Sequence, residues 1–177
     1  GSRMKQQIVL QMPLFFRKVL IIPYMLKDNE VYVLLFHDTK HQEWTLISGG
    51  CKQGEKPLQS GMRELAEESN ASLSFPKHKN KIHYFRFLTN CVQKSGKQYV
   101  ITVYHVYMFP LEENDIHALQ KKYFNNASPM NKETENMEFF RLRDICFDES
   151  LRVWPFIRDA CNDYIKVYFD TYITNKT

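Results

Sequence analysis

The stretch with the clearest capacity for chemistry runs Gly49-Gly50-Cys51-Lys52-Gln53-Gly54-Glu55 and, after seven intervening residues, Arg63-Glu64-Leu65-Ala66-Glu67-Glu68. At about 100° per residue in a helix, Glu64, Glu67 and Glu68 fall within roughly a quarter-turn wedge. Carboxylates at (i, i+3) and (i, i+4) repel one another, so this crowding destabilises a helix unless a cation lies among them. Hard divalent cations take oxygen ligands, and magnesium is commonly held by a few carboxylates together with water and phosphate oxygens. The chemistry implied is metal-assisted attack of water on a phosphorylated substrate, with Mg²⁺ the expected ion and Mn²⁺ an acceptable replacement. Arg63 can hold a neighbouring carboxylate in one rotamer by a planar two-pronged contact that a lysine cannot make. Glu55 falls close to the helix start. Gly49, Gly50 and Gly54 are expected to turn the backbone tightly and bring N–H groups toward phosphate oxygens.

Positioning these side chains needs a helix held against a sheet. From Pro57 to about Ser69 the apolar residues Leu58, Met62 and Leu65 recur at helical spacing, and Pro57 suits a first turn. That stripe is expected to dock on the sheet while the opposite edge gathers the carboxylates. Upstream, residues 14–26 and 31–37 read as two strands joined through Asp28-Asn29, a hairpin. Trp44 to Ile47 reads as a short strand ended by Ser48-Gly49-Gly50.

Downstream, His83 to Leu88 and Tyr99 to Phe109 read as strands, the second apolar enough for burial on both faces. Asp115 to Phe124 reads as a helix, Asn125 to Glu135 as a loop and Met137 to Leu142 as a strand. Leu151 to Tyr172 closes the chain as a helix packing through Val153, Phe156, Ile157, Ala160, Tyr164 and Val167. Strands interleaved with helices imply an α/β sandwich with helices on both faces of a mixed sheet.

The chain has 177 residues, 44% apolar and 14% aromatic, enough for one domain with a substantial core. Gly1-Ser2-Arg3 before Met4 reads as a cloning remnant, leaving 4–177 as a single domain. A net charge of +4 suits a phosphorylated substrate and falls well short of a dedicated nucleic-acid binder. The basic run Lys77-His78-Lys79-Asn80-Lys81 reads as a solvated loop. Cys51, Cys91, Cys146 and Cys161 lie far apart with no C-x-x-C pair, which argues against a structural zinc site and for reduced thiols. No segment reaches the ~18 consecutive apolar residues of a membrane span. These features fit a cytoplasmic protein, with the nucleus also open. The six histidines show no metal-ligand spacing and read as surface or loop residues.

Arg-Glu-Leu-x-Glu-Glu alone is a common solvated helix, but the spacing Gly49-x5-Glu55-x7-Arg63 changes that reading. From Gly49 through Glu68 the chain resembles the Nudix box, the signature of the Nudix hydrolases. Two positions depart from the pattern. Asn70 stands where the box has a glycine, followed by Ala71 where a larger apolar residue is usual, and Ser48 stands where many relatives have proline. Asparagine tolerates a left-handed backbone better than most residues, so the helix can still end there.

The resemblance implies that Glu64, Glu67 and Glu68 bind Mg²⁺ or Mn²⁺. It implies that Arg63 orients a glutamate and that Glu55 supports the site. The catalytic set is then Glu55, Arg63, Glu67 and Glu68, with Gly49 and Gly50 toward the ligand. A box glutamate is expected as general base, Glu135 or Glu138 as distal alternatives, and Glu133 as a weaker one, its plain reading being a solvated loop residue.

Three functions fit the sequence. One is hydrolysis of a phosphoanhydride bond in a free nucleotide derivative. Another is pyrophosphate-bond cleavage at a capped RNA 5′ end, suggested by Lys77, Lys79, Lys81, Lys121 and Lys122. The third is a catalytically silent module that binds a nucleotide or partner protein. Trp44, Phe85 and Tyr107 are candidate stacking platforms for a base, although apolar strands bury aromatics by default. Trp154 reads as helix packing.

Overall fold

The computed structural model describes residues 13–92 and 98–174, so the expected remnant at Gly1-Ser2-Arg3 lies outside the described residues. Its spine is β1 (Leu14–Lys27), which turns back through Asp28 and Asn29 into β2 (Glu30–Asp38). Both turn residues are left-handed (φ 52° and 60°), the backbone of a two-residue hairpin whose twist matches its strands. Short strands β3 (Trp44–Thr45) and β4 (Ile47–Gly50) follow, then helix α1 (Pro57–Glu68). The second half comprises β5 (His83–Val92), β6 (Tyr99–Pro110), α2 (Ile116–Asn125), β7 (Thr134–Arg141), α3 (Leu142–Phe147) and α4 (Pro155–Ala160). Beyond α4 the chain stays helical to Ile173 through wide π-type turns at Cys161–Ile165 and Phe169–Ile173.

One edge of β1 pairs in parallel with β6, from Leu14↔Val100 to Tyr24↔Pro110. Its other edge changes partner, pairing antiparallel with β4 over Lys18–Ile21 and with β2 over Tyr24–Lys27. Pro23 falls between those two pairings, where its missing N–H costs no ladder bond on that edge. The sheet order is β3-β2-β1-β6-β5, with β4 beside β1 and β7 beside β2. The sequence predicts one strand over Trp44–Ile47 ended by a glycine turn. The chain instead makes two strands, and Gly49 and Gly50 pair with Val19 and Lys18 inside β4.

Helices cover both faces, giving the expected α/β sandwich with a mixed sheet. Leu20, Ile22, Val33, Leu35, Val106 and Met108 point to the face covered by α3, α4 and the C-terminal helical run. Their neighbours Ile21, Leu34, Phe36 and Phe109 point to the face covered by α1 and α2. The strand expected to be buried on both sides, β6, is continuously so from Tyr104 to Phe109. Among the described residues no helix is long and apolar enough to cross a membrane. All four cysteines are free.

The closing helix differs from expectation. It begins at Pro155, because Val153 is held in a bridge to Trp44. Its buried line is Ile157, Cys161, Ile165 and Phe169, whereas Tyr164 and Val167 are exposed. In an α-helix, residues four apart drift around the axis, since a turn takes 3.6 residues. The π-type turns widen the spiral and cancel that drift, so an every-fourth line stays on the core. Three histidines lie on strands rather than in loops: His37 on β2, His83 on β5 and the buried His105 on β6.

Candidate active site

Helix α1 starts at Pro57 in its first turn, and Gln59 Oε1 accepts the Lys56 N–H (3.0 Å), satisfying one of the free donors at the helix start. Its buried face is Ser60, Gly61, Leu65 and Glu68, rotated from the Leu58–Met62–Leu65 stripe that apolarity suggests. Met62 is exposed (53%), because α1 meets the sheet through Ser60, Gly61, Leu65 and Glu68 instead, with Gly61 facing Ile21 and Phe75. One carboxylate of the acidic edge is thereby carried under the surface: Glu68 is only 8% exposed, while the Glu67 side chain is 60% exposed. At its end the helix unwinds through Asn70 and Ala71, both left-handed (φ 55° and 56°).

Arg63 organises the start of the site. Its Nε and Nη2 donate to the two oxygens of Glu55 (3.1 and 3.0 Å), and its Nη1 donates to Glu64 Oε1 (2.9 Å). Glu67 Oε2 lies 3.8 Å from the same guanidinium. Glu55 also accepts from the Ser60 hydroxyl (2.7 Å) and the Lys52 N–H (3.1 Å). The hydrogen bonds from Arg63 and Ser60 lower the Glu55 carboxyl to about 2, and those from Glu55 and Glu64 hold Arg63 protonated well above its usual range. Arg63 is therefore a fixed cation holding Glu64 in one rotamer.

Gly49 is where a side chain would displace Glu64. A Cβ there would lie 2.2 Å from Glu64 Oε1, so the carboxylate occupies the space above the strand, whereas nothing lies within 4 Å of a Cβ at Gly50. The left-handed glycine of this region is Gly54 (φ 82°).

Glu64, Glu68 and Glu133 bring one carboxylate oxygen each within 4.8 Å of one another. Burial, and then the neighbouring Glu133 and Glu64 carboxylates, push the Glu68 carboxyl far above the usual range. Its Oε2 is buried with no hydrogen-bond donor among the described residues. The sequence ranks Glu133 below Glu135 and Glu138 as a general base, and the structure brings Glu133, not those two, to the carboxylate cluster. Glu135 is held by His37 Nδ1 (2.6 Å) and Gln42 Nε2 (3.0 Å), and Glu138 sits within β7 opposite Leu35. Glu133 is the last residue before β7, on a loop tied across the end of α1. The signal for an ordered loop is Asn131, whose Oδ1 accepts from the Glu133 and Thr134 N–H groups (both 3.2 Å) in an Asx-type turn.

Residues 15–160, most of the chain, match the family described as NUDIX domain. The chain belongs to the NUDIX domain family. Solved structures of the same fold include a C. elegans Ap4A hydrolase binary complex. It is 15% identical with a TM-score of 0.53, the match covering 86% of this chain and 96% of that one. The NUDIX domain of Shewanella oneidensis NrtR, complexed with ADP ribose, is 15% identical with a TM-score of 0.55 over 90% and 91% of the two chains. The M. Smegmatis Nudix hydrolase RenU is 12% identical with a TM-score of 0.55 over 92% and 91%. No curated protein sequence matches the chain.

The residues of this NUDIX domain fit a divalent cation. The converging donors are all carboxylate oxygens, the choice of a hard ion such as Mg²⁺ or Mn²⁺. The orphaned Glu68 Oε2 is an acceptor whose burial is otherwise uncompensated. A cleft of about 500 Å³ opens beside these carboxylates. Glu68 and Glu133 lie on its wall, with Gly49 and Gly50 of β4, the basic side chains Lys18, Lys40 and Lys132, and Trp154. Trp154 is 39% exposed rather than packed in a helix, because its N–H is held by the Trp44 carbonyl (2.9 Å) ahead of α4. The aromatics proposed from sequence lie elsewhere. Tyr107 is buried, Phe85 stacks on Tyr168 (4.9 Å), and Trp44 packs edge-on against Phe140 (4.9 Å). Neither the 77–81 lysines nor Lys121 and Lys122 line the cleft.

Proposed function

We propose that the protein is a divalent-metal-dependent pyrophosphohydrolase that splits a phosphoanhydride bond in a nucleoside diphosphate linked to a second moiety. The observation that carries this reading is the convergence of Glu64, Glu68 and Glu133 around an unpartnered buried oxygen at the wall of a lysine-lined cleft. Glu64, Glu68 and Glu133 hold the cation, which neutralises the pyrophosphate and activates water when bound. Arg63 locks Glu64, and Glu55 locks Arg63. Glu67, open to solvent beside Arg63, has room to take the proton of the attacking water. Lys18, Lys40 and Lys132 bind phosphate oxygens, and Trp154 gives the base a flat apolar face.

A nucleoside diphosphate derivative is preferred to a capped RNA because the basic residues lining the cleft are few, and Lys77, Lys79, Lys81, Lys121 and Lys122 are not among them. Two structures of the same fold, an Ap4A hydrolase and a NUDIX domain complexed with ADP ribose, carry names of compounds of this class. The test is incubation with Mg²⁺ and a panel of ADP-ribose, dinucleoside tetraphosphate, nucleoside triphosphates and capped RNA. Turnover of a nucleoside diphosphate derivative, lost by orders of magnitude in Glu68→Gln with the fold intact, is the expected result. Cleavage of capped RNA alone would replace this substrate class by an RNA 5′ end. Silence across the panel, with no Mn²⁺ binding, would leave a binding module and sink the enzymatic reading.

A further inference from the structure

We infer that Asn70, which stands where the box pattern has glycine, is a positioning residue that holds Glu133 at the carboxylate cluster through Asn131. This rests on the proposed role of Glu133 as a metal ligand. Asn70 is buried, and its amide donates to the Tyr123 carbonyl at the end of α2 (3.1 Å). Its Oδ1 accepts from Asn131 Nδ2 (2.7 Å). That same nitrogen donates to Thr134 Oγ1 (2.9 Å) and reaches the Glu68 carbonyl (3.3 Å). The Thr134 hydroxyl donates to the Glu68 carbonyl (2.6 Å), which leaves the Tyr123 hydroxyl to donate to Thr134 (2.7 Å). Asn131 Oδ1 in turn receives the Glu133 N–H.

Each polar side-chain atom of this network has at least one partner, and its far end is the backbone of Glu133. Two things a glycine could do at position 70 must be kept apart. The left-handed backbone (φ 55°) asks for glycine or asparagine, and glycine serves at least as well. The asparagine side chain, which a glycine lacks, adds a link between α2 and the 131–134 loop beside those made through the Glu68 carbonyl and Thr134. A glycine there keeps the helix end and removes the link.

The experiment is Mn²⁺ titration, read from the free-ion paramagnetic resonance signal, on the full chain, Asn70→Gly, Glu133→Gln and the double variant. Asn70→Gly is expected to weaken Mn²⁺ binding about 10–100-fold, the usual cost of losing an outer support of a metal ligand. It is also expected to lower kcat with KM little changed. In the Glu133→Gln background the same substitution should add nothing, because it acts through Glu133. Asn131→Ala, which leaves the helix end untouched, should reproduce this pattern if Asn70→Gly does not fold. Wild-type Mn²⁺ affinity in a folded Asn70→Gly protein would overturn the inference, as would a full additional loss on top of Glu133→Gln. Unchanged affinity in Glu133→Gln would instead remove the metal role of Glu133, and this inference with it.

Discussion

Gly49 and Gly50 look alike in the sequence and differ in what a methyl group would meet. Gly49→Ala would drive a Cβ into the Glu64 carboxylate, and turnover and Mn²⁺ affinity are expected to fall sharply. Gly50→Ala meets nothing and should keep both near wild type, so parallel assays of the two variants test whether Glu64 needs its seat above β4. Glu55 makes a different prediction. Its carboxyl is lowered from an ordinary value of 4.5 to about 2, so its contribution to stability is full above pH 4.5 and is lost as pH falls toward 2. Denaturant midpoints at pH 5 and pH 3 should therefore fall more for wild type than for Glu55→Gln. An equal fall in both would mean that the Arg63–Glu55 fork does not stabilise the fold. Glu67 separates catalysis from binding: Glu67→Gln should lower kcat while Mn²⁺ affinity stays near wild type.

The register of the C-terminal helical run is the feature that spacing alone misplaces. With the buried line at Ile157, Cys161, Ile165 and Phe169, Phe169→Ala should cost about 3–5 kcal/mol by equilibrium denaturation, the range for emptying a fully buried aromatic site. Val167→Ala, on the exposed side, should fall within about 0.5 kcal/mol of wild type. A large loss at Val167 with little at Phe169 would restore the α-helical register expected from the sequence. In α1 the equivalent shift has a functional consequence. The helix packs through Ser60, Gly61 and Leu65, which leaves Met62 in solvent and Glu68 inward. The acidic edge is thus divided into a buried member and an exposed one, environments suited to holding an ion and to handling a proton.

Across the whole molecule, the carboxylate cluster joins the end of α1 to the loop before β7, elements more than sixty residues apart in the chain. An ion bound there belongs to the folded state alone, so added Mg²⁺ or Mn²⁺ should raise the melting temperature with concentration. The stabilisation is about 2.7 kcal/mol at a hundred times the dissociation constant. Glu68→Gln should abolish the dependence. Trp154 lies on the far side of the core from α1, on the face covered by the C-terminal helices, yet lines the same cleft as Glu68. Trp154→Ala is expected to raise KM for a nucleotide substrate several-fold with Mn²⁺ affinity unchanged. An unaltered KM would remove it from the binding surface.

The sandwich, the β1–β2 hairpin, the extent of α1 and the left-handed Asn70 were all legible before any coordinates, because each is a local matter. Alternation places Ile21 and Ile22 on opposite faces, Pro57 opens a helix, and residues 28 and 29 allow a left-handed turn. The box spacing likewise brought Glu55, Arg63 and Glu64 within reach of one another, since all three lie around one helix start. Glu133 and Trp154 come to the cleft through long-range pairing, β7 onto β2 and Val153 onto Trp44, which no local period encodes. Helix rotation was decided in the same way, by which residues of α1 meet the sheet in the folded molecule rather than by which of them are apolar.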